Sequence, residues 1–166
     1  MLIIVAGLPG SGKSYFASRL AQRLGARYIS SDITRKSMSA MGKYAFEDKL
    51  EVYEEMGREA ATALRNGETV VVDATFYHQK MRDLFVTLGV LLNKPLRYLK
   101  VEADEELIRE RLRHPRLDSE ADFSVYRYVR SQYEDERHDH LVIESTDDNI
   151  EQMLQRAEEY IKLKHD

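Results

Sequence analysis

A chain of 166 residues is long enough to bury one proper core and leaves no room for a second catalytic module, so it reads as a single domain over 1–166. Lysine and arginine number 25 against 29 aspartates and glutamates, a net charge of -4 that excludes a general nucleic-acid coat but leaves local basic surfaces open. There is no cysteine, which excludes disulfide frameworks, thiolate metal sites and thiol nucleophiles together and makes a reducing cytoplasm the expected location.

The run LIIVA, Leu2 to Ala6, is branched and apolar, the pattern of a strand buried on both faces of a parallel sheet. It is too short for a leader, and no later stretch approaches the roughly 18 apolar residues of a membrane span. GLPGSGKS follows at once, with the pattern Gly7-x-x-x-x-Gly12-Lys13-Ser14. KSYFASRLAQRLG then sets Phe16, Leu20 and Leu24 at helical spacing and stops at Gly25. RYISSD, Arg27 to Asp32, predicts a second strand with a polar end. In EDKLEVYEEMGREAATALRNGE, Tyr53, Met56, Ala60 and Leu64 share one face of a long amphipathic helix that ends at Gly67.

Thr69 to Val72 is the densest buried-strand signal, closed by Asp73, and a helix over Gln79 to Asn93 follows. PLRYLKVEA predicts a fourth strand, Leu96 and Tyr98 alternating against Arg97, Leu99 and Val101. DEELIRERLR predicts a helix with an acidic first turn that stops before Pro115. DFSVYRYVRSQYEDE is a further helix, HLVIES a fifth strand and DNIEQMLQRAEEYIKLK a terminal helix. Strands alternating with helices make an α/β domain, a three-layer sandwich around a mainly parallel five-stranded sheet.

The glycine-framed motif stands where its chemistry requires it, after a strand and opening a helix. It is the phosphate-binding loop, or P-loop, of nucleoside triphosphatases. Gly10, Ser11, Gly12, Lys13, Ser14 and Tyr15 would cradle the phosphates of ATP, with Lys13 reaching the β and γ phosphates and Ser14 holding Mg2+. Asp32 and Asp73, each just beyond a strand, share the carboxyl edge of the sheet with this loop. A carboxylate there can orient an attacking hydroxyl and take its proton, while a second can help hold the metal. The competing readings make Asp32 the N-cap of a short helix and Asp73 a turn residue. After Asp73 comes Ala74, where motor-type ATPases place a glutamate that activates water, and this counts against hydrolysis.

In IRERLRHPR, Arg109, Arg113 and Arg116 are spaced i, i+4, i+7 with Pro115 interrupting, a helical lid over roughly 109–120. Arg113 or Arg116 would stabilise charge on a transferring phosphoryl group. Arg109 fits an ordinary pair with Glu105 and is also a candidate nucleotide contact. Arg35, three residues after Asp32, suits either an anionic acceptor or a surface salt bridge. Tyr126, Val129 and Tyr133 are core positions, Arg127 and Arg130 could line a substrate channel, and His138 and His140 are expected to be exposed rather than metal-ligating.

Together GLPGSGKS, SSDITR, VVVDATF, RERLRHPR and DFSVYRYVRSQYE resemble the P-loop kinases related to polynucleotide 5′-hydroxyl kinases and zeta-toxin-like kinases, from Met1 to about Thr146. The resemblance implies Asp32 as general base, Arg35 on the acceptor's 3′-phosphate, Asp73 with Thr75 and Phe76 on the acceptor side, and Arg113 or Arg116 in the lid. It brings the segment of Ser145 and Thr146 near the adenine. Relatives often have asparagine where this chain has Phe76, so an exposed ring there would stack on a base or close the pocket around a smaller acceptor. The implied activity is Mg2+-dependent transfer from ATP to a 5′-hydroxyl end of DNA or RNA. A nucleoside, sugar or sugar nucleotide is the alternative acceptor, and a non-catalytic nucleotide-binding regulatory module the alternative class.

Overall fold

The computed structural model describes residues 1–114 and 121–163. Its strands are β1 (Leu2–Ala6), β2 (Arg27–Ser30), β3 (Val70–Ala74), β4 (Leu96–Glu102) and β5 (Leu141–Glu144). The helices are α1 (Lys13–Leu24), α2 (Ser31–Ser37), α3 (Phe46–Arg65), α4 (Gln79–Leu91), α5 (Glu105–Leu112), α6 (Phe123–Gln132) and α7 (Ile150–Leu163). The strands form one parallel sheet in the order β2-β3-β1-β4-β5. The chain lays β2 and β3 on one side of β1, then crosses to lay β4 and β5 on the other. Such a reversal opens a crevice at the carboxyl ends of the strands, and the glycine-rich loop follows β1 directly into it.

Alternation along the strands builds the three layers. Leu2, Ile4 and Ala6 pack with Met56 and Leu64 of α3 and Phe85 of α4, whereas Ile3 and Val5 pack with Phe16 and Leu20 of α1 and Leu154 of α7. Each fully buried large apolar side chain contributes about 1.5–3 kcal/mol. In β4, Tyr98 joins the first of these clusters and Leu99 and Val101 the second, as their alternation predicts. No helix among the described residues is long and apolar enough to cross a membrane.

Three boundaries differ from expectation in ways that matter for the site. Ser30 ends β2 and caps α2, its hydroxyl accepting the Ile33 N–H at 3.4 Å. Asp32 therefore stands in the first turn of α2, neither at a strand end nor as the cap. β3 runs on through Ala74, so Asp73 lies inside the strand, in register with Val5 and Ser30. α6 ends at Gln132 rather than near Glu136, because the next carbonyls turn away from the helix. Arg82 donates to the carbonyls of Glu134 and Asp135, and the Glu134 N–H donates to the Tyr77 carbonyl at 2.8 Å.

Candidate active site

The donor side is the loop between β1 and α1. Gly10 and Gly12 have φ of 80 and 91, in the left-handed region that costs glycine nothing. Space makes the same demand: a Cβ at Gly12 would stand 2.6 Å from Ser145 Oγ, and one at Gly10 would stand 2.9 Å from Ile108 Cγ2. α1 opens with no side-chain cap, so its first N–H groups and its positive end face the crevice, as an anion site requires. Lys13 and Ser11 are buried beside them, and the Ser11 hydroxyl has no protein partner. Tyr15 follows them with an exposed ring, one face of which lies under the Arg19 guanidinium, 3.3 Å from the ring centre.

Asp73 is buried next to this loop. Tyr28 donates its hydroxyl to Asp73 Oδ2 at 2.5 Å, while Oδ1 has no partner. Burial pushes the Asp73 carboxyl above the ordinary carboxylate range, against the pull of the Lys13 ammonium and the Tyr28 and Ser14 hydroxyls. An orphaned buried carboxylate oxygen beside a serine hydroxyl fits a hard cation that keeps most of its waters, so these residues suit Mg2+. Among the described residues no group of three histidines or acids could hold a metal by itself.

On the side expected to take an acceptor is a cavity of about 310 Å3 between α2, α3, the segment after β3, and α6. Lys13, Asp32 and Arg35 line it together, with Lys49, Tyr44, Tyr53, Thr75, Tyr77 and Tyr128. Arg35 is 8 % exposed and donates from Nη1 to Asp32 Oδ1 at 3.2 Å. That pair is inside the cavity, not the surface bridge of the alternative reading. Burial, and then the Arg35 guanidinium, pull the Lys49 ammonium below the ordinary lysine range.

Phe76 does not reach this cavity. It is 0 % exposed and adopts φ 49, a left-handed conformation that is a genuine outlier for an aromatic residue. The turn drives the ring into the core, edge-on to Tyr53 and Phe85. Its N–H donates to Tyr53 Oη at 3.0 Å and its carbonyl accepts from Arg82 Nε at 2.8 Å. Both peptide groups are held, so the surroundings fix the strained turn. Thr75 is left on the cavity wall in its place, 3.3 Å from Tyr53 Oη.

The arginines of α5 sort differently from their spacing. Arg109 lies over the Phe123 ring at 4.1 Å rather than beside Glu105, whose carboxylate takes Arg130 at 2.9 Å. Arg113 is exposed and held by Glu110 at 3.0 Å. Arg116 and the second half of the expected lid, 115–120, lie outside the described residues. Among the described arginines of this run, Arg111 is the one that faces the donor loop, donating to the Gly10 carbonyl at 3.1 Å, Ser145 Oγ at 3.0 Å and the Thr146 carbonyl at 3.1 Å. It shares the inward face of α5 with the buried Ile108 and Leu112, and that periodicity is the signal that would have found it. Lys49 has a similar signal, one turn before Tyr53 on the buried face of α3. His138 is half-buried rather than exposed, its ring against Glu136 at 2.9 Å, and His140 rests on the His138 carbonyl.

A family model described as "AAA domain" matches residues 2–136. The chain belongs to this AAA domain family. Over 93 residues it is 32% identical to an uncharacterized protein of Mycobacterium tuberculosis, a match that takes in 49% of this chain and 19% of that protein. Among solved structures, a sugar kinase from Janibacter sp. HTCC2649 superposes with a TM-score of 0.74 at 18% identity, covering 97% of this chain and 94% of that one. The Mycobacterium tuberculosis APS kinase CysC, in complex with AMPPNP and APS, gives 0.75 at 18% identity over 97% and 96%. A gluconokinase from Sinorhizobium meliloti gives 0.70 at 20% identity over 98% and 95%. The fold is therefore the P-loop α/β fold of these kinases, and at such identities the likeness is one of fold.

Proposed function

We propose that the chain is an ATP-dependent phosphotransferase acting on a hydroxyl acceptor held between α2, α3 and α6. One observation carries the reading: Lys13 of the donor loop and Asp32 and Arg35 of α2 line the same cavity. A regulatory nucleotide sensor has no use for a carboxylate facing a second cavity across from its phosphate loop.

In this reading the acceptor oxygen attacks the γ-phosphorus in line, and Asp32 takes the hydroxyl proton. As the new O–P bond forms, the bond from the γ-phosphorus to the β,γ-bridging oxygen breaks, and ADP leaves with that electron pair. Lys13 and the first N–H groups of α1 meet the charge that grows on the phosphoryl oxygens. Mg2+ bound by Ser14 and Asp73 would neutralise charge on the β and γ phosphates. Arg111, tied to Gly10, Ser145 and Thr146, would join the phosphate loop to the nucleotide's base side. Arg113 is proposed to leave Glu110 for the γ-phosphate; a pair as exposed as theirs opposes this by ~1 kcal/mol or less.

A cavity of about 310 Å3 is at the small end of ligand sites and matches a compact acceptor better than a polymer. The 5′-hydroxyl polynucleotide end is the second reading, favoured by Tyr44 and Tyr128, exposed rings on the cavity wall on which a base could stack. Incubation with γ-labelled ATP and Mg2+ against 5′-hydroxyl DNA, 5′-hydroxyl RNA, nucleosides, sugars and their phosphate esters tests both. Label should enter a small alcohol. Label entering only polynucleotide ends would select the second reading, and no transfer to any acceptor would overturn both.

A further inference from the structure

Among the described residues that line the cavity, Lys13, Arg35 and Lys49 face a single carboxylate, Asp32. Lys13 is placed for the donor phosphates, and Asp32 is shared between the acceptor hydroxyl and Arg35 Nη1. Arg35 is nine-tenths buried and its Nε has no hydrogen-bond partner. Lys49 reaches the same cavity with no carboxylate partner among the described residues: it donates to Tyr77 Oη at 3.4 Å and lies 4.9 Å from the Tyr77 ring centre and 5.7 Å from that of Tyr128. A buried donor without a partner and a partly buried ammonium held against aromatic faces both carry a desolvation cost that an incoming anion would offset. The lowered affinity of Lys49 for its proton reports the same deficit.

We propose that Lys49 joins Arg35, whose contact with an acceptor anion the resemblance already implies, to complete an oxyanion subsite, so that the acceptor is a compact alcohol carrying its own anionic group. Lys49 is then a specificity-determining residue that separates such acceptors from neutral ones. The assignment rests on the kinase reading for the word acceptor, but the subsite itself is a binding property. Among the described residues lining the cavity, Asp32 is the one carboxylate, and the cations Arg35 and Lys49 face the ligand. The oxyanion therefore docks away from Asp32, which leaves the hydroxyl end beside it.

The test separates binding from transfer. With the donor site filled by AMPPNP and Mg2+, calorimetric titration with phenyl phosphate, benzoate and benzyl alcohol distinguishes a phosphate from a carboxylate and both from a neutral ring. Phenyl phosphate or benzoate should bind while benzyl alcohol does not. Lys49→Met should weaken the anion by about tenfold or more, the scale of a lost charged hydrogen bond, with AMPPNP affinity unchanged. Lys49→Arg should restore most of it. Benzyl alcohol binding as well as the anions, or Lys49→Met leaving anion affinity untouched, would overturn the subsite even if transfer is robust. Lys49-dependent anion binding in a protein that phosphorylates nothing would support the subsite and overturn the kinase reading.

Discussion

The proposed donor and acceptor halves of the crevice are made in opposite ways. Gly7 to Ser14 are consecutive, and the backbone of one short loop supplies most of what a phosphate needs. The acceptor half draws Asp32 and Arg35 from α2, Lys49 and Tyr53 from α3, Thr75 and Tyr77 from the end of β3, and Tyr128 from α6. A site made by local geometry tolerates change elsewhere in the chain. One assembled from side chains of distant elements depends on every packing contact that sets their spacing.

That contrast can be broken by experiment. Asp32→Asn should act on the acceptor half alone, lowering turnover by about 10²–10⁴ with nucleotide binding intact; steady-state rates and AMPPNP titration read the two separately. Equal loss of both would show that the halves are not separable. Arg82→Met should instead act through packing. Arg82 is fully buried against Glu136 at 3.0 Å and holds the carbonyls of Phe76, Glu134 and Asp135. Removing one partner of such a pair costs about 3–5 kcal/mol, visible in chemical denaturation. In the folded fraction the acceptor KM should rise while the nucleotide KM holds. Arg111→Met should do the reverse, weakening nucleotide by about tenfold and leaving the acceptor KM unchanged.

The smallest effect should be one of pH. Burial alone would raise the Glu136 carboxyl, but the Tyr98 hydroxyl, the backbone N–H and ring of His138, and Arg82 together hold it below its ordinary value. A carboxylate held low in the folded chain adds stability above its unfolded pKa and loses it as pH falls through the folded one. Melting temperature should therefore drop on acidification below about pH 4. Glu136→Gln should melt lower than wild type at pH 7, with the gap closing in acid.

What could be read from the residues follows the same division. β1 and β3 are branched runs buried on both faces, and their identity as central strands needs no knowledge of what packs on them. The P-loop is equally local. Phe76 fails for the opposite reason: a positive φ at an aromatic residue has no local cause and is held by Tyr53 and Arg82, which arrive from α3 and α4. The spacing of the arginines to one another does not show which of them turns inward, because Ile108 and Leu112 decide which side of α5 faces the core. The nearness of Asp32 to the crevice is legible from its place after β2, but its position in a helix depends on the Ser30 hydroxyl closing on Ile33.

Ala74 bears on the history open to this chain. It is 0 % exposed at the end of β3, opposite Ala6, and its methyl belongs to the apolar cluster beneath α3 and α4. A glutamate there would put an unpaired carboxylate into this apolar cluster, at a cost of several kcal/mol. The single replacement that would seem to turn a phosphate-transfer scaffold toward burning ATP in water is thus closed by packing. Such a descendant would first have to rebuild the layer under its own sheet, so under the proposed reading the core restricts the choice of reaction without touching a substrate.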